Sequence, residues 1–158
     1  MKRLSFPFAS YWFNVIFNKD KIESSRFSLK PEFKPFFEEE KNLFVRRIAA
    51  GLEEYLLTGQ FRSDEFQLNL GIYPPFFRRV YAELMKLPPG QTITYKELAS
   101  RAGSPNAARA VGQAMMRNRH QLFIPCHRVV GARWIGGWSG IPGLKEFLLF
   151  LESKQRRV

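Results

Sequence analysis

The chain has 158 residues, with 25 Lys plus Arg against 14 Asp plus Glu and a formal net charge of +11, a length that suits one compact unit or two small lobes. That positive balance points to a polyanion, most directly nucleic acid, because each Lys or Arg laid on a phosphate releases counterions; generic solubility charge is the plainer alternative. A single cysteine excludes an internal disulfide, two histidines leave no cluster with metal-ligand spacing, and no apolar run reaches the roughly 18 residues of a membrane span, so the chain reads as a soluble cytoplasmic protein with no membrane partner.

In chain order, residues 11–17 and 22–29 are runs rich in aromatic and β-branched residues separated by Asn18-Lys19-Asp20, which predicts a hairpin. Leu43, Phe44, Ile48, Leu52, Tyr55 and Leu56 then recur at helical spacing, with Glu38, Glu39 and Glu40 near the positive end and Gly59 as a stop. Residues 66–70 predict another short strand. Gly71-Ile72-Tyr73-Pro74-Pro75 marks a junction, dividing the chain into 1–72 and 73–158.

The second part opens on a helix with Pro75 near its start and Phe76, Val80, Leu84 and Leu87 along one side, stopped by Pro88-Pro89-Gly90. Thr94 caps a short helix over 95–102 that ends at Gly103. Ser104-Pro105 has the form of a cap and first turn, predicting a second helix to about Arg117. Helix, glycine turn, helix is the helix-turn-helix pattern. On its second helix Ala107, Val111, Ala114 and Met115 make an inward stripe, while Arg109, Gln113 and Arg117 align on the opposite face as a candidate DNA surface; Ala107, Ala108, Ala110 and Gly112 keep the helix thin, for close approach to DNA or for tight packing. After a glycine-rich loop, Gly136-Gly137-Trp138-Ser139-Gly140, a last helix spans 145–152 with Leu144, Leu148 and Leu151 inward.

Between these helices lies Ile124-Pro125-Cys126-His127-Arg128-Val129-Val130, which carries the one cysteine. A lone cysteine is often a small apolar packing residue. Here Pro125 fixes the chain's approach and His127 and Arg128 set two cation-capable groups beside the sulfur, conditions that favour a thiolate. Neighbouring side chains on an extended segment point to opposite faces, so His127 serves as base only through a water or a bend, and a carboxylate from elsewhere must orient its ring.

Pro125-Cys126-His127-Arg128-Val129, together with Thr94-Tyr95, Ala108-Arg109-Ala110-Val111-Gly112, Asn118 and Gly137-Trp138-Ser139-Gly140 leading into Lys145-Glu146, resembles the O6-alkylguanine-DNA alkyltransferase family over residues 76–152. The resemblance implies an α+β fold of two lobes: a small ribonuclease-H-like sheet with a helix over 1–72, and a helical, winged-helix-like domain with the helix-turn-helix over 73–158. It also implies direct reversal of DNA damage. A monomer flips O6-alkylguanine out of double-stranded DNA and takes the alkyl group irreversibly on Cys126, with no metal and no organic cofactor; O4-alkylthymine is an open second substrate.

By the same resemblance His127 is the water-mediated base and Glu152 the carboxylate that orients it. Arg109 fills the place of the everted guanine, and Tyr95 presses on the adjacent phosphate and offers its hydroxyl to the base. Lys96 and Ser104 are secondary contacts to the DNA backbone, beside the Gln113 and Arg117 already placed on the candidate DNA face by their spacing, while Asn118 and Arg128 brace the turn that bears the sulfur. The carbonyls of Cys126 and Val129 accept from the guanine amino group, Ser139 hydrogen-bonds O6, and Trp138 stands where many members carry tyrosine. A sensor that binds alkylated DNA without transfer shares this scaffold, a cysteine hydrolase or a plain transcription regulator being further alternatives. The reactive reading requires a sulfur that an everted purine can reach.

Overall fold

The structure, a computed structural model, describes residues 1–38, 40–137 and 140–154. Its first layer is a sheet of β1 (Lys2–Phe8), β2 (Tyr11–Asn18), β3 (Lys21–Ser28) and β4 (Gln67–Leu68), in that order, antiparallel except for the β3–β4 pair. The β2–β3 hairpin turns where Asn18-Lys19-Asp20 places it. β1 is an addition to the sequence reading. Its Leu4, Phe6 and Phe8 follow the strand period of two, and Pro7, which disguises the run, is tolerated because β1 lies at the sheet's edge.

Across the inner face of the sheet lies α1 (Leu43–Thr58), capped by Asn42, whose side chain accepts from the Val45 amide at 3.2 Å. Phe44, Val45, Ile48, Leu52 and Tyr55 are buried, whereas Leu43 faces outward at 76% exposure. Gly59 closes the helix at φ 73°, and a Cβ there would stand 2.2 Å from the carbonyl oxygen of Leu151. Both the backbone conformation and the backbone-to-backbone approach require glycine. Gly59→Ala should therefore lower the unfolding free energy by about 3 kcal/mol or more; a loss below about 1 kcal/mol in urea titration, at unchanged m, would show that the contact relaxes freely.

In the second half, α2 (Pro75–Met85) buries Phe77, Val80, Tyr81 and Leu84. Phe77 takes the inward place assigned to Phe76, which is only half-buried. β5 (Ile93–Thr94) leads into α3 (Tyr95–Arg101), where Thr94 and Glu97 form a reciprocal capping box. The following helix, α4, spans Ala108–Met116, starting later than Ser104-Pro105 implies. Residues 104–107 are instead a tight turn, closed by the Ala107 amide on the Ser104 carbonyl at 2.9 Å, because the chain must reverse between two packed helices. β6 (Val129–Val130) pairs in parallel with β5, and α5 (Leu144–Ser153) follows with Leu144, Leu148 and Leu151 inward as expected. No described helix is long and apolar enough to cross a membrane.

Two apolar cores result. One is dominated by phenylalanines of the sheet and α1, including Phe8, Phe13 and Phe17, but it also takes in Leu122, Phe123, Leu148 and Leu151 from the second half of the chain. The other joins α2, α3 and α4 around Tyr81, Leu84, Leu98 and Val111, and it contains Cys126 and Val129. The segment with the cysteine thus runs along the seam of the two.

Candidate active site

Residues Cys126–Arg128 form a 3-10 turn rather than an extended stretch, closed by the Arg128 amide on the Pro125 carbonyl at 3.0 Å. The turn resolves the orientation problem posed by adjacent side chains. Cys126 enters the helical core while His127 and Arg128 face Glu152. Asn118, just beyond α4, holds this arrangement: its Nδ2 donates to the Ile124 carbonyl and its Oδ1 accepts from the His120 amide, both at 2.9 Å.

Glu152 is fully buried near the end of α5. Oε1 accepts from His127 Nε2 at 2.7 Å, from the Tyr55 hydroxyl at 2.9 Å and from Arg128 at 3.0 Å; Oε2 accepts from Arg128 Nε at 3.0 Å and from the Gly90 amide at 3.3 Å. Gly90 lies at φ +83°, and a Cβ would press on the Glu152 carbonyl at 3.1 Å. Burial works against ionisation of the carboxyl, but hydrogen bonds and charge from His127 and Arg128 outweigh it and bring its pKa down to about 2. For His127 the balance runs the other way: burial lowers its pKa despite the stabilising Glu152. The pair is therefore a neutral imidazole and an ionised carboxylate. With Nε2–H donated to Glu152, Nδ1 is the bare acceptor, and it is buried without a hydrogen-bond partner among the described residues.

Arg128, two places from the sulfur in sequence, is in the fold a partner of Glu152. Its guanidinium is committed to Glu152 and to the Leu87 carbonyl at 2.6 Å. Among the described residues Lys145, 3% exposed, is a cation that senses Cys126: burial lowers its pKa and the charge of Cys126 raises it in turn. Lys145 Nζ donates to the Val129 carbonyl at 2.7 Å, so that carbonyl, assigned to the guanine amino group, already has one donor. Tyr95 is half-buried at the start of α3; its hydroxyl reaches the Gly137 carbonyl at 3.4 Å. Burial first, then the charge of Cys126, raise its pKa. Cys126 itself is 2% exposed, which corrects the expectation of a sulfur open to an incoming base in this state. Trp138 and Ser139 lie outside the described residues.

The opposite side of the helix-turn-helix is exposed. Arg109, Gln113 and Arg117 line the outer face of α4 or its end, with Lys96 exposed on α3 and Ser104 half-buried between the helices. Gly112 separates the two readings of the small residues on α4, since glycine inside a helix costs about 1 kcal/mol relative to alanine. A Cβ there would meet nothing within 4 Å. Packing against the described residues does not require it.

Four partners in the site escaped the sequence reading: Tyr55, Lys145, the Gly90 amide and the Leu87 carbonyl. For Tyr55 a signal existed. A tyrosine on an otherwise apolar helix face needs a partner for its hydroxyl.

Residues 75–154 match the family model described as the DNA binding domain of 6-O-methylguanine DNA methyltransferase. A methylated-DNA–protein-cysteine methyltransferase of Methanosarcina barkeri is 42% identical over 121 residues, covering 75% of this chain and 74% of the relative. Among solved structures, the Mycobacterium tuberculosis OGT in complex with DNA superposes with a TM-score of 0.81 at 27% identity, over 97% of this chain and 93% of that one. The O6-methylguanine-DNA methyltransferase of Pyrococcus kodakaraensis gives 0.68 at 26% identity, over 95% and 97%.

Proposed function

Because the chain belongs to the O6-methylguanine-DNA methyltransferase family, we propose that it repairs duplex DNA by moving the alkyl group of an everted O6-alkylguanine onto Cys126, once per protein molecule. Transfer of a methyl group from DNA to a protein cysteine is the family's reaction, and this chain is an enzyme of that kind. The observation that carries the assignment of roles is the buried Nδ1 of His127, which has no hydrogen-bond partner among the described residues, on a ring whose other nitrogen is held by an ionised Glu152. It is a base fixed in its accepting tautomer beside the chain's one thiol.

A water between Nδ1 and Sγ carries the thiol proton to His127, and Glu152 stabilises the imidazolium that forms. Sulfur then attacks the alkyl carbon: the S–C bond forms, the C–O6 bond breaks, and the electron pair stays on the purine. Tyr95, whose raised pKa keeps its proton in place, donates to the departing base. Lys145 balances the charge of the sulfur before attack. The product thioether has no carbonyl for water to attack, so the protein is consumed.

The lesion must leave the stack to be reached, at a cost of a few kcal/mol. The exposed Arg109 face of α4, thin at Gly112, supports minor-groove docking in which Arg109 replaces the everted base. Entry of that base parts the contact between the Tyr95 hydroxyl and the Gly137 carbonyl.

Incubation with a duplex containing O6-methylguanine should raise the intact mass by one methylene per chain, located on Cys126 and absent in Cys126→Ala. Lesion binding without any gain in mass would favour the sensor, and repeated turnover of an ester or amide would make the protein a hydrolase.

A further inference from the structure

We infer that Tyr55 is a positioning residue for the base: from the helix of the first lobe its hydroxyl fixes Glu152, and through Glu152 the tautomer of His127, so that this lobe forms part of the transfer machinery. The inference rests on the reading of His127 and Glu152 given above and extends it to a residue some way from the helix-turn-helix.

Its other inward neighbours on α1 are Phe44, Val45, Ile48 and Leu52, all apolar. Tyr55 alone brings a polar atom from that face, and it is wholly buried. The hydroxyl donates to Glu152 Oε1 at 2.9 Å, the same oxygen that accepts from His127 Nε2 at 2.7 Å, and it lies 3.5 Å from that nitrogen. Three donors, from His127, Tyr55 and Arg128, converge on that one oxygen and restrict the carboxylate's rotation, and the carboxylate in turn restricts the ring. Burial, followed by the charge of Glu152, keeps Tyr55 protonated, so it remains a donor throughout.

The hydroxyl is also held in place from behind. Phe8 stacks on the tyrosine ring with centroids 6.0 Å apart, and Phe61 meets its edge at 6.0 Å. The Tyr55 carbonyl accepts from the Gly59 amide at 2.8 Å, and Gly59 in turn abuts Leu151 and Glu152. One helix end thereby sets both the backbone and the side-chain contact to the end of α5. The hydroxyl's bond to Glu152 is the part of this registration that a side chain serving only to fill space would not need.

Around His127, among the described residues, the charged and titratable groups are Cys126 and Arg128 from its own turn, Glu152 and Lys145 from α5 and Tyr55 from α1. Removing the Tyr55 hydroxyl strips Oε1 of a donor that offsets its charge. Glu152 then acts more strongly on His127, which binds a proton at higher pH and is lost as a base sooner on acidification.

In full-length protein, Tyr55→Phe should slow single-turnover methyl transfer from O6-methylguanine duplex by about tenfold at saturating DNA, the scale of a lost hydrogen bond to a charged group, with lesion affinity unchanged. The acid limb of the rate should move to higher pH. Phe8→Leu, which loosens the same ring without touching a polar atom, should leave that limb in place. Unaltered rate and profile in Tyr55→Phe, or an equal shift in Phe8→Leu, would overturn the inference while methyl uptake by the unmodified chain left the function intact. The unmodified chain offers a check that needs no variant: proton NMR should find the Tyr55 hydroxyl protected from exchange, with a cross-peak to the His127 ring, and its absence would count equally against the role.

Discussion

Arg128→Met should lower the unfolding free energy by about 3–5 kcal/mol at neutral pH, the scale of breaking a buried ion pair by removing one partner. Arg128 is 5% exposed, and its guanidinium meets both oxygens of Glu152 and the carbonyl of Leu87. Methionine restores much of the volume but leaves a buried carboxylate with only neutral donors, together with an unsatisfied carbonyl. The sign of the pH dependence separates these effects. Glu152 titrates at about 2 in the folded chain, below the ordinary carboxylate value of about 4.3. Its contribution is therefore complete above that ordinary value and disappears as pH falls through about 2. In Arg128→Met the folded value rises and this acid loss shrinks. Urea titrations of the two proteins should converge between pH 5 and about 2, and a deficit that does not change with pH would trace the destabilisation to packing alone.

The network that makes Arg128 so costly to remove was the least legible part of the chain. Features decided by near neighbours were readable: the turn at Asn18-Lys19-Asp20, the Thr94 cap and the glycine that ends α1 all arise from local backbone chemistry. β1 was hidden because Pro7 masks its alternation, and the start of α4 was misplaced because Ser104-Pro105 serves a turn as readily as a helix. The site depends on distant pairs. Tyr55 lies 97 positions from Glu152, and nothing around either residue announces the contact. Periodicity places Tyr55 on an inward face and Glu152 near the end of a helix; only the docking of α1 on α5 turns those positions into a hydrogen bond. Lys145 is similar, since a lysine in the first turn of an amphipathic helix reads as solvated, whereas here it is drawn inward by the Val129 carbonyl. The resemblance to the alkyltransferases supplied Glu152, and the packing supplied the groups that make its carboxylate work.

Arg109→Ala should slow repair of O6-methylguanine in duplex DNA by about a hundredfold while leaving reaction with free O6-benzylguanine within about twofold. The first figure corresponds to roughly 2.7 kcal/mol of barrier, within the few kcal/mol needed to unstack a base pair. Arg109 is exposed on α4 and forms no ion pair among the described residues, so its truncation removes little from the folded chain. The free base needs no extrusion. It meets Cys126, His127 and Glu152 unchanged, because none of these touches Arg109. Comparable losses on both substrates would mean that Arg109 acts on the sulfur's surroundings and not on the helix stack. Retained duplex repair would transfer the gap-filling task to another exposed group on the same face, for which Gln113 is the neighbour one helical turn along.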